Sequence, residues 1–448
     1  MHLNITYESL AKIIEGKLIS KTPKAIFKKL TIDTRTLQTG DAYWVIKGAR
    51  LDGHDFIDEA IKKGAVLIIC EIGRANLAQN QNISFIEVKD TLKALQALAL
   101  YHRQNSAIKI AAITGSNGKS TTKQMLMSLT SAAAKTCASA GNFNNQIGLP
   151  LSLLEITSKD VFGVFELGAS HKGDIDEIAS LVRPDVAVIT NISPAHLEFF
   201  GDMETIYQTK TEIIKWLNTS GFLVYNGDDI LLRRLKTAYR GKAISFGFGD
   251  GMDLKIDDGG DNFAFTYKGA KFSFPLKLER HNKLNAAAAC AAAIALGLYK
   301  DQLERGLSTY TPMPMRLEEH QKGKTKFILD YYNANPASME NALDFLVKNS
   351  PPHTAVLGDM RELGKYSKKY HEDLARSIIS HGIKTVFLAG EEMRPAYDIL
   401  AKDSSVMVTY ALDKNDLLAD IKAAAKEGGT VLIKASRALN FEDIYKNL

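Results

Sequence analysis

Three cysteines in 448 residues, set far apart at Cys70, Cys137 and Cys290, leave no disulfide framework and no paired-cysteine metal motif. That scarcity fits a reducing compartment, and each thiol is expected to be a small buried apolar residue. A long hydrophobic run is missing too. The longest, Ala286 to Leu298, is alanine-rich and too short to span a bilayer. The opening Met1-His-Leu-Asn-Ile-Thr-Tyr-Glu8 lacks the charged-then-apolar pattern of a leader. Charge of one sign is also lacking: 56 basic against 51 acidic residues give a net +5 spread along the chain. No clustered basic face suggests a nucleic-acid partner. Internal repeats, low-complexity segments and exposed heptads are absent, so a cytoplasmic monomer with no membrane insertion is expected. The rest, 45% hydrophobic and 24% charged, is ordinary for a globular protein.

What is present centres on Ile108-Lys-Ile-Ala-Ala-Ile-Thr-Gly-Ser-Asn-Gly-Lys-Ser-Thr-Thr122. An apolar β-branched run stops at a glycine turn, and Gly118-Lys119-Ser120 opens a helix-forming stretch. Such a loop aims backbone N–H groups and a helix N-terminus at an anion, which favours phosphate. Lys119 can reach the terminal phosphates, and the Ser120 hydroxyl can sit on Mg²⁺. The commoner spacing wants a glycine at position 113, where Ile113 stands. The match is therefore the shorter Gly-x-x-Gly-Lys-Ser form, beginning at Gly115.

Length and pattern predict three α/β units, 1–105, 106–312 and 313–448. The first mixes short strands and helices, with a buried strand at Ala65–Cys70 and an amphipathic helix over Thr91–His102. The second starts with the phosphate loop and continues through strands Val161–Glu166 and Val186–Thr190, each followed by a helical stretch. That alternation predicts a mainly parallel, mononucleotide-binding sheet. A glycine- and aspartate-rich hairpin region (Gly247–Pro275) precedes an alanine-rich helix from about Asn282, and Pro312 and Pro314 flank a linker. The third unit alternates strands at Phe327–Asp330, Ala355–Gly358, Thr385–Ala389, Val406–Tyr410 and Val431–Ala435 with helices, a Rossmann-like pattern.

Functional residues of open α/β sheets gather beyond the carboxyl ends of strands. One such end carries Glu166-Leu-Gly-Ala-Ser-His-Lys-Gly173 and another Asn191-Ile-Ser-Pro-Ala-His196-Leu-Glu198. Mg²⁺ takes carboxylate, hydroxyl and phosphate oxygens, so Glu166 and Ser120 make a sensible pair of anchors. His196 reads equally as a ligand or as a structural hydrogen bonder. A lone helical lysine such as Lys210 reads as a solvated charge. The amide-rich loop Gly141-Asn-Phe-Asn-Asn-Gln-Ile-Gly148 either holds turns together or binds a polar substrate. His102, His320, His353 and His381 read as surface or capping residues, Trp44 and Trp216 as packing anchors. His371 lies near a cleft motif without clear assignment.

Taken together, Thr114-Gly-Ser-Asn-Gly-Lys-Ser-Thr121, Glu166, Asn191, His196 and His281-Asn-Lys-Leu-Asn285 resemble the Mur ligase family of peptidoglycan synthesis in content, order and spacing. The resemblance covers essentially the whole chain. It is strongest to the branch that joins D-alanyl-D-alanine to UDP-N-acetylmuramoyl-tripeptide. Its marks are the Gly141–Leu151 loop, Ala195-His-Leu-Glu198, Tyr332-Asn-Ala-Asn-Pro336, Leu357-Gly-Asp-Met-Arg-Glu-Leu-Gly364, Asp33-Thr-Arg35 and Asp52-Gly-His54. The resemblance implies a first domain that holds the UDP part of the substrate, with Thr34 and Arg35 near the uridine diphosphate. It implies ATP on Gly115, Ser116, Asn117, Gly118, Lys119, Ser120 and Thr121, with Asn282 and Asn285 facing adenine. Arg316 and Asp330 of the last domain would close over γ-phosphate and ribose. Ser120 would hold one Mg²⁺ and Glu166 and His196 a second, with Lys210 helping to hold the metal as a CO₂-derived carbamate, and Lys119, His196, Lys210 and Arg316 would serve catalysis. Asn144, Asn145, Asn333 and Asn335 would line the substrate cleft.

Two positions depart from the family pattern: Leu329, where an acidic or amide residue is frequent, and Ala435 in Lys434-Ala-Ser-Arg437, where glycine is usual. Alanine avoids the positive φ that glycine tolerates. The implied reaction is ATP-dependent amide ligation through an acyl phosphate in cell-wall synthesis, and so in cell shape and division. Domain closure is expected to shield the acyl phosphate from water. Two rivals fit less well. A diamino-acid-adding relative would carry Asp-Asn-Pro-Arg, which is absent, while a folylpolyglutamate-type ligase remains the alternative of the same chemistry. A GTPase or nucleic-acid motor would need the longer phosphate-loop spacing and an Asn-Lys-x-Asp, and neither occurs.

Overall fold

Apolar runs bounded by turns become the strands of three separate sheets in a computed structural model that describes residues 5–20, 22–48, 51–75, 83–260 and 262–448. Met1–Asn4, part of the stretch read for a leader, lie outside the described residues. The first sheet contains β1 (Lys17–Ile19), β2 (Leu30–Thr31), β3 (Ala42–Trp44), β4 (Leu67–Glu71) and β5 (Ser84–Val88). Its order is β1-β5-β4-β3-β2, and only β1 runs antiparallel. Trp44 is fully buried and its indole N–H donates to the Thr91 carbonyl at 2.9 Å, so it anchors the helix Thr91–Gln104.

The central sheet holds β6 (Lys109–Thr114), β7 (Thr136–Ala138), β8 (Phe162–Glu166), β9 (Val186–Ile189) and β10 (Phe222–Asn226). It continues with β11 (Lys242–Gly247), β12 (Leu254–Ile256), β13 (Asn262–Tyr267) and β14 (Ala270–Lys277). Its order is β14-β13-β12-β11-β10-β9-β6-β8-β7. β7 to β12 pair in parallel, and β13 and β14 extend that edge as an antiparallel hairpin. The hairpin turns on Lys268 and Gly269, both at positive φ (48° and 79°), the geometry that matches strand twist in a two-residue loop. The buried faces of β8 and β9 are continuous apolar runs, as parallel strands covered on both sides require. The helix Arg280–Leu296 is buried from Asn285 to Ala293. Its alanines let it lie close to the helix Lys119–Ser131 and to β9–β12.

The third sheet contains β15 (Glu318–Lys322), β16 (Thr325–Leu329), β17 (His353–Gly358), β18 (Thr385–Ala389), β19 (Met407–Ala411) and β20 (Gly429–Lys434). Its order is β15-β16-β20-β17-β18-β19, parallel except for β15. The expected α/β architecture of three sheets is what forms. Several expectations change in detail. β15 lies where no strand is predicted, because Glu318-Glu-His-Gln-Lys322 has no apolar alternation to reveal it. Cys137 is only half-buried, since β7 is an edge strand, whereas Cys70 and Cys290 are buried as expected. Leu329 packs into the core of the third sheet, and Ala435 is buried with an ordinary negative φ. The departure at 435 therefore carries no backbone strain. No described helix is long and apolar enough to cross a membrane.

Candidate active site

β6 pairs with β8 on one side and β9 on the other, all parallel, so their carboxyl ends open on one edge. The chain passes from β8 across β6 to reach β9, which makes this edge a topological switch point, where open sheets bind ligands. The phosphate loop sits there. Gly115 has φ +140° and its backbone lies so close to β9 that a Cβ would come within 2.0 Å of the Thr190 hydroxyl. Gly118, at φ +79°, caps the helix Lys119–Ser131, and a Cβ there would meet the Asn285 Oδ1 at 2.2 Å. Both glycines are demanded by contact as well as by φ.

The strand end beyond β9 holds this loop in shape. The Thr190 hydroxyl and the Asn191 amide both donate to the Asn117 carbonyl, at 2.6 and 3.0 Å. The Asn191 Oδ1 accepts the Asn117 N–H at 3.1 Å, and Ser116 exchanges two 2.9 Å hydrogen bonds with the Ser193 backbone. Lys119 Nζ donates to the carbonyls of Gly115 and Ser116 at 2.8 and 3.0 Å, and burial pushes its pKa down. One turn on, Lys123 is buried and donates to the carbonyls of Ser139 and Gly141. It thereby ties the amide-rich loop to the phosphate-loop helix. Sequence reasoning missed Lys123. Its spacing of four from Lys119, on the same helical face, was the available signal.

A cleft of about 1540 Å³ opens over this loop, between the second and third sheets. From the central sheet, Ser116, Asn117, Gly118, Lys119, Ser120 and Thr121 line it, with Asn144, Asn145, Glu166, His196, Asn282 and Asn285. Arg316, Asp330, Asn333 and Asn335 face them from the last domain. Four predicted site residues are not part of this lining. Gly115 lies behind the loop. Thr34 and Arg35 belong to the first sheet's loops, where Arg35 pairs with Asp33 at 2.7 Å. Lys210, on the helix Met203–Thr211, is buried under the residues after Glu166 and donates to the Ala169 carbonyl at 3.3 Å. Reading it as a solvated charge is wrong. Burial first, and the nearby Lys119 ammonium second, push its pKa down to about 7.

Glu166 is buried, with Oε1 accepting from the Asn144 amide at 2.8 Å and Oε2 without a hydrogen-bond partner among the described residues. An unpartnered buried carboxylate oxygen is costly, and a cation repays the cost. The hydroxyl of Ser120 and the ring of His196 face the same cleft, so the donor set is oxygen-rich, as Mg²⁺ prefers. Asn144 thus holds a carboxylate in place, which joins turn-holding and site-forming in one residue. Asn285, expected to face adenine, packs its amide against Gly118 and donates to Asn282 at 3.2 Å, leaving Asn282 the more exposed of the two.

The last domain reaches in at three points. Arg316 Nη2 donates to the Ser120 hydroxyl at 3.1 Å and its guanidinium lies 4.2 Å over the Tyr332 ring. The Asn335 amide donates to the Asn117 Oδ1 at 2.6 Å. The Glu362 carboxylate accepts from the His196 Nδ1–H. At the base of the cleft wall, buried Lys434 pairs with Asp330 at 2.6 Å and donates to the Asn333 carbonyl at 3.0 Å. Lys434 and Glu362 were both missed as functional residues, although each lies inside a quoted motif. His371 is not a cleft residue: it is buried, accepts the Met360 N–H at Nε2 and donates from Nδ1 to the Ser367 carbonyl.

Comparison with known proteins agrees with this geometry. The Mur ligase family catalytic domain matches residues 27–103, the Mur ligase middle domain 113–293, and the Mur ligase glutamate ligase domain 315–437. The UDP-N-acetylmuramoyl-tripeptide--D-alanyl-D-alanine ligase of Bacillus subtilis is 34% identical over 99% of this chain and 98% of its own. A crystal structure of MurF from Acinetobacter baumannii superposes with a TM-score of 0.90 at 30% identity, covering 99% of this chain and 98% of that one. MurF from Thermotoga maritima, solved in complex with ADP, gives 0.82 at 30% identity over 94% and 96%.

Proposed function

The chain belongs to the Mur ligase family, and from that premise we propose how its residues divide the work of the reaction. It is an ATP-dependent ligase that forms an amide bond, joining D-alanyl-D-alanine to UDP-N-acetylmuramoyl-tripeptide in peptidoglycan synthesis. A carboxylate does not condense with an amine unaided, because its oxygen is a poor leaving group. In the proposed sequence a carboxylate oxygen of the tripeptide attacks the γ-phosphorus of ATP. The bond to the β-phosphate oxygen breaks, ADP departs, and an acyl phosphate remains. The dipeptide amine then attacks the acyl carbon, the tetrahedral adduct collapses, and inorganic phosphate leaves as the amine loses a proton.

The loop N–H groups and the helix N-terminus at Gly118 cradle the phosphates. Lys119, now turned onto its own loop carbonyls, and Arg316, now on Ser120, are the cations that would swing onto the transferring phosphoryl group. Ser120, Glu166 and His196 would hold Mg²⁺, which when bound neutralises phosphate charge. Lys210 is assigned as a carbamate supporting that site. With a pKa near 7 much of its amine is neutral at cellular pH, and only a neutral amine takes up CO₂. Asn282 would contact adenine, Asp330, oriented by Lys434, the ribose, and Asn145, Asn333 and Asn335 the peptide ends. Thr34 and Arg35 would meet the UDP portion. Docking of the last domain keeps water from the acyl phosphate. The reaction is proposed to occur in the cytoplasm, by a monomer.

The observation that carries this reading is the unpartnered Glu166 oxygen in the same cleft as Lys119, Ser120 and Arg316. Phosphate release from ATP with UDP-muramoyl-tripeptide, with and without D-alanyl-D-alanine, tests it. Release that requires both is expected. Release indifferent to the dipeptide would defeat the assignment.

A further inference from the structure

His196 stands at a strained corner, with φ +53°, at the start of the short helix Leu197–Phe200. Among the described residues of the central domain none makes a hydrogen bond to its ring; its ring contact there is an edge-on approach to Phe200, 6.4 Å between centroids. The hydrogen bond that orients the ring comes from the other domain. The loop Arg361–Gly364 follows β17 of the third sheet and closes on this corner in three ways. The Glu362 carboxylate takes the His196 Nδ1–H, and the Glu362 carbonyl accepts the Glu198 N–H at 3.0 Å. Gly364, at φ +53°, passes so near the helix that a Cβ would lie 3.0 Å from the Glu198 Cα.

The loop itself is braced from behind by its own domain. His371 accepts the Met360 N–H at 3.2 Å and the Ser436 hydroxyl accepts the Arg361 N–H at 2.9 Å. Glu362 is held at φ +64°, a conformation non-glycine residues adopt only where the surroundings impose it. A rigid loop therefore presents one carboxylate to one ring nitrogen.

We propose that Glu362 is a positioning residue for the metal site, so that docking of the last domain completes the ligand set. The chemistry of the contact fixes one hydrogen: a carboxylate oxygen accepts, so Nδ1 carries the hydrogen and, in the neutral ring that binds a metal, the lone pair is on Nε2. A ligating histidine generally gives its other N–H to such a partner, which sets ring orientation and raises basicity. The arrangement also supplies an order of events: the histidine ligand is in its binding tautomer only when the third sheet's loop is seated. This rests on the reading of His196 as a metal ligand.

The test uses the full chain with ADP and Mn²⁺ as the probe ion, with affinity from the Mn²⁺ resonance signal and histidine coordination from its nitrogen spin-echo modulation. Glu362→Ala is expected to weaken Mn²⁺ about 10- to 100-fold, the range for removing an outer partner of a ligand. It should also reduce the nitrogen modulation. Glu362→Gln, whose amide oxygen still accepts the Nδ1–H, should fall between Ala and the parent. A purely structural contact would leave the modulation unchanged. His196→Ala separates the two readings. If it weakens Mn²⁺ and abolishes the modulation while Glu362→Ala changes neither, the positioning role is overturned and the ligand role stands. If His196→Ala changes neither, both are overturned. Tighter Mn²⁺ binding in Glu362→Ala would also overturn the proposal, because the carboxylate would then be withholding the ring.

Discussion

The two ends of the cleft are built on opposite plans. The backbone of the phosphate loop is held by its own sheet, through Thr190, Asn191 and Ser193, and the last domain reaches the side chains of Asn117 and Ser120. The His196 corner, three residues beyond Ser193, takes its orienting hydrogen bond from a different domain. A nucleotide can thus find its cradle preassembled, whereas the groups on the far side of the γ-phosphate wait for the last domain. For an enzyme whose intermediate is destroyed by water, that division is useful. Nucleotide binding need not await closure, but reaction should.

The strongest blow to the preassembled end is Lys119→Ala. Removing one preorganised cation from the transferring phosphoryl group should cut ligation about 10²- to 10³-fold, measured as phosphate release with both substrates present. The fold should survive, because the Lys119 ammonium bonds only to carbonyls of its own loop.

Lys210 lies between the two ends and responds to pH. Its pKa falls from the ordinary 10.5 to about 7 in the fold, so between those values the unfolded chain binds more protons. Stability should accordingly rise with pH across that window and lose this component in Lys210→Met, as followed by denaturant titration. Carbamate formation, followed by ¹³C resonance with labelled CO₂, should increase as pH rises through about 7. A signal that grows as pH falls would remove the carbamate from the account.

The docked end should yield to a smaller change. Gly364→Ala places a Cβ against Glu198 at a positive φ, and a left-handed alanine costs about 1–2 kcal/mol. A modest fall in melting temperature is expected, together with weaker Mn²⁺ binding in the presence of ADP. ADP binding without metal should be unaffected, because Gly364 lies far in the chain from every residue of the phosphate loop and touches none of them.

Legible in the sequence were the features whose determining contacts are local. Gly115 to Ser120 lie within six residues, and a strand before and a helix after suffice to reveal them. Glu166 and His196 follow from the rule about strand ends. What was not legible depends on partners distant in the chain. Lys434 meets Asp330 from the neighbouring strand, 104 residues further along the chain, and Glu362 meets His196 across two domains. Lys210 was misread as a solvated charge from its local surroundings, because its burial is decided by the loop after Glu166 and by Phe200 packed near it. β15 was missed for a different reason: an edge strand of charged and polar residues carries no periodic apolar signal.

The acyl phosphate is the claim on which the rest depends, and oxygen tracing tests it directly. With both oxygens of the tripeptide's reacting carboxylate labelled as ¹⁸O, one labelled oxygen should appear in the released phosphate for each peptide bond formed. Phosphate free of label, alongside full product formation, would contradict the account.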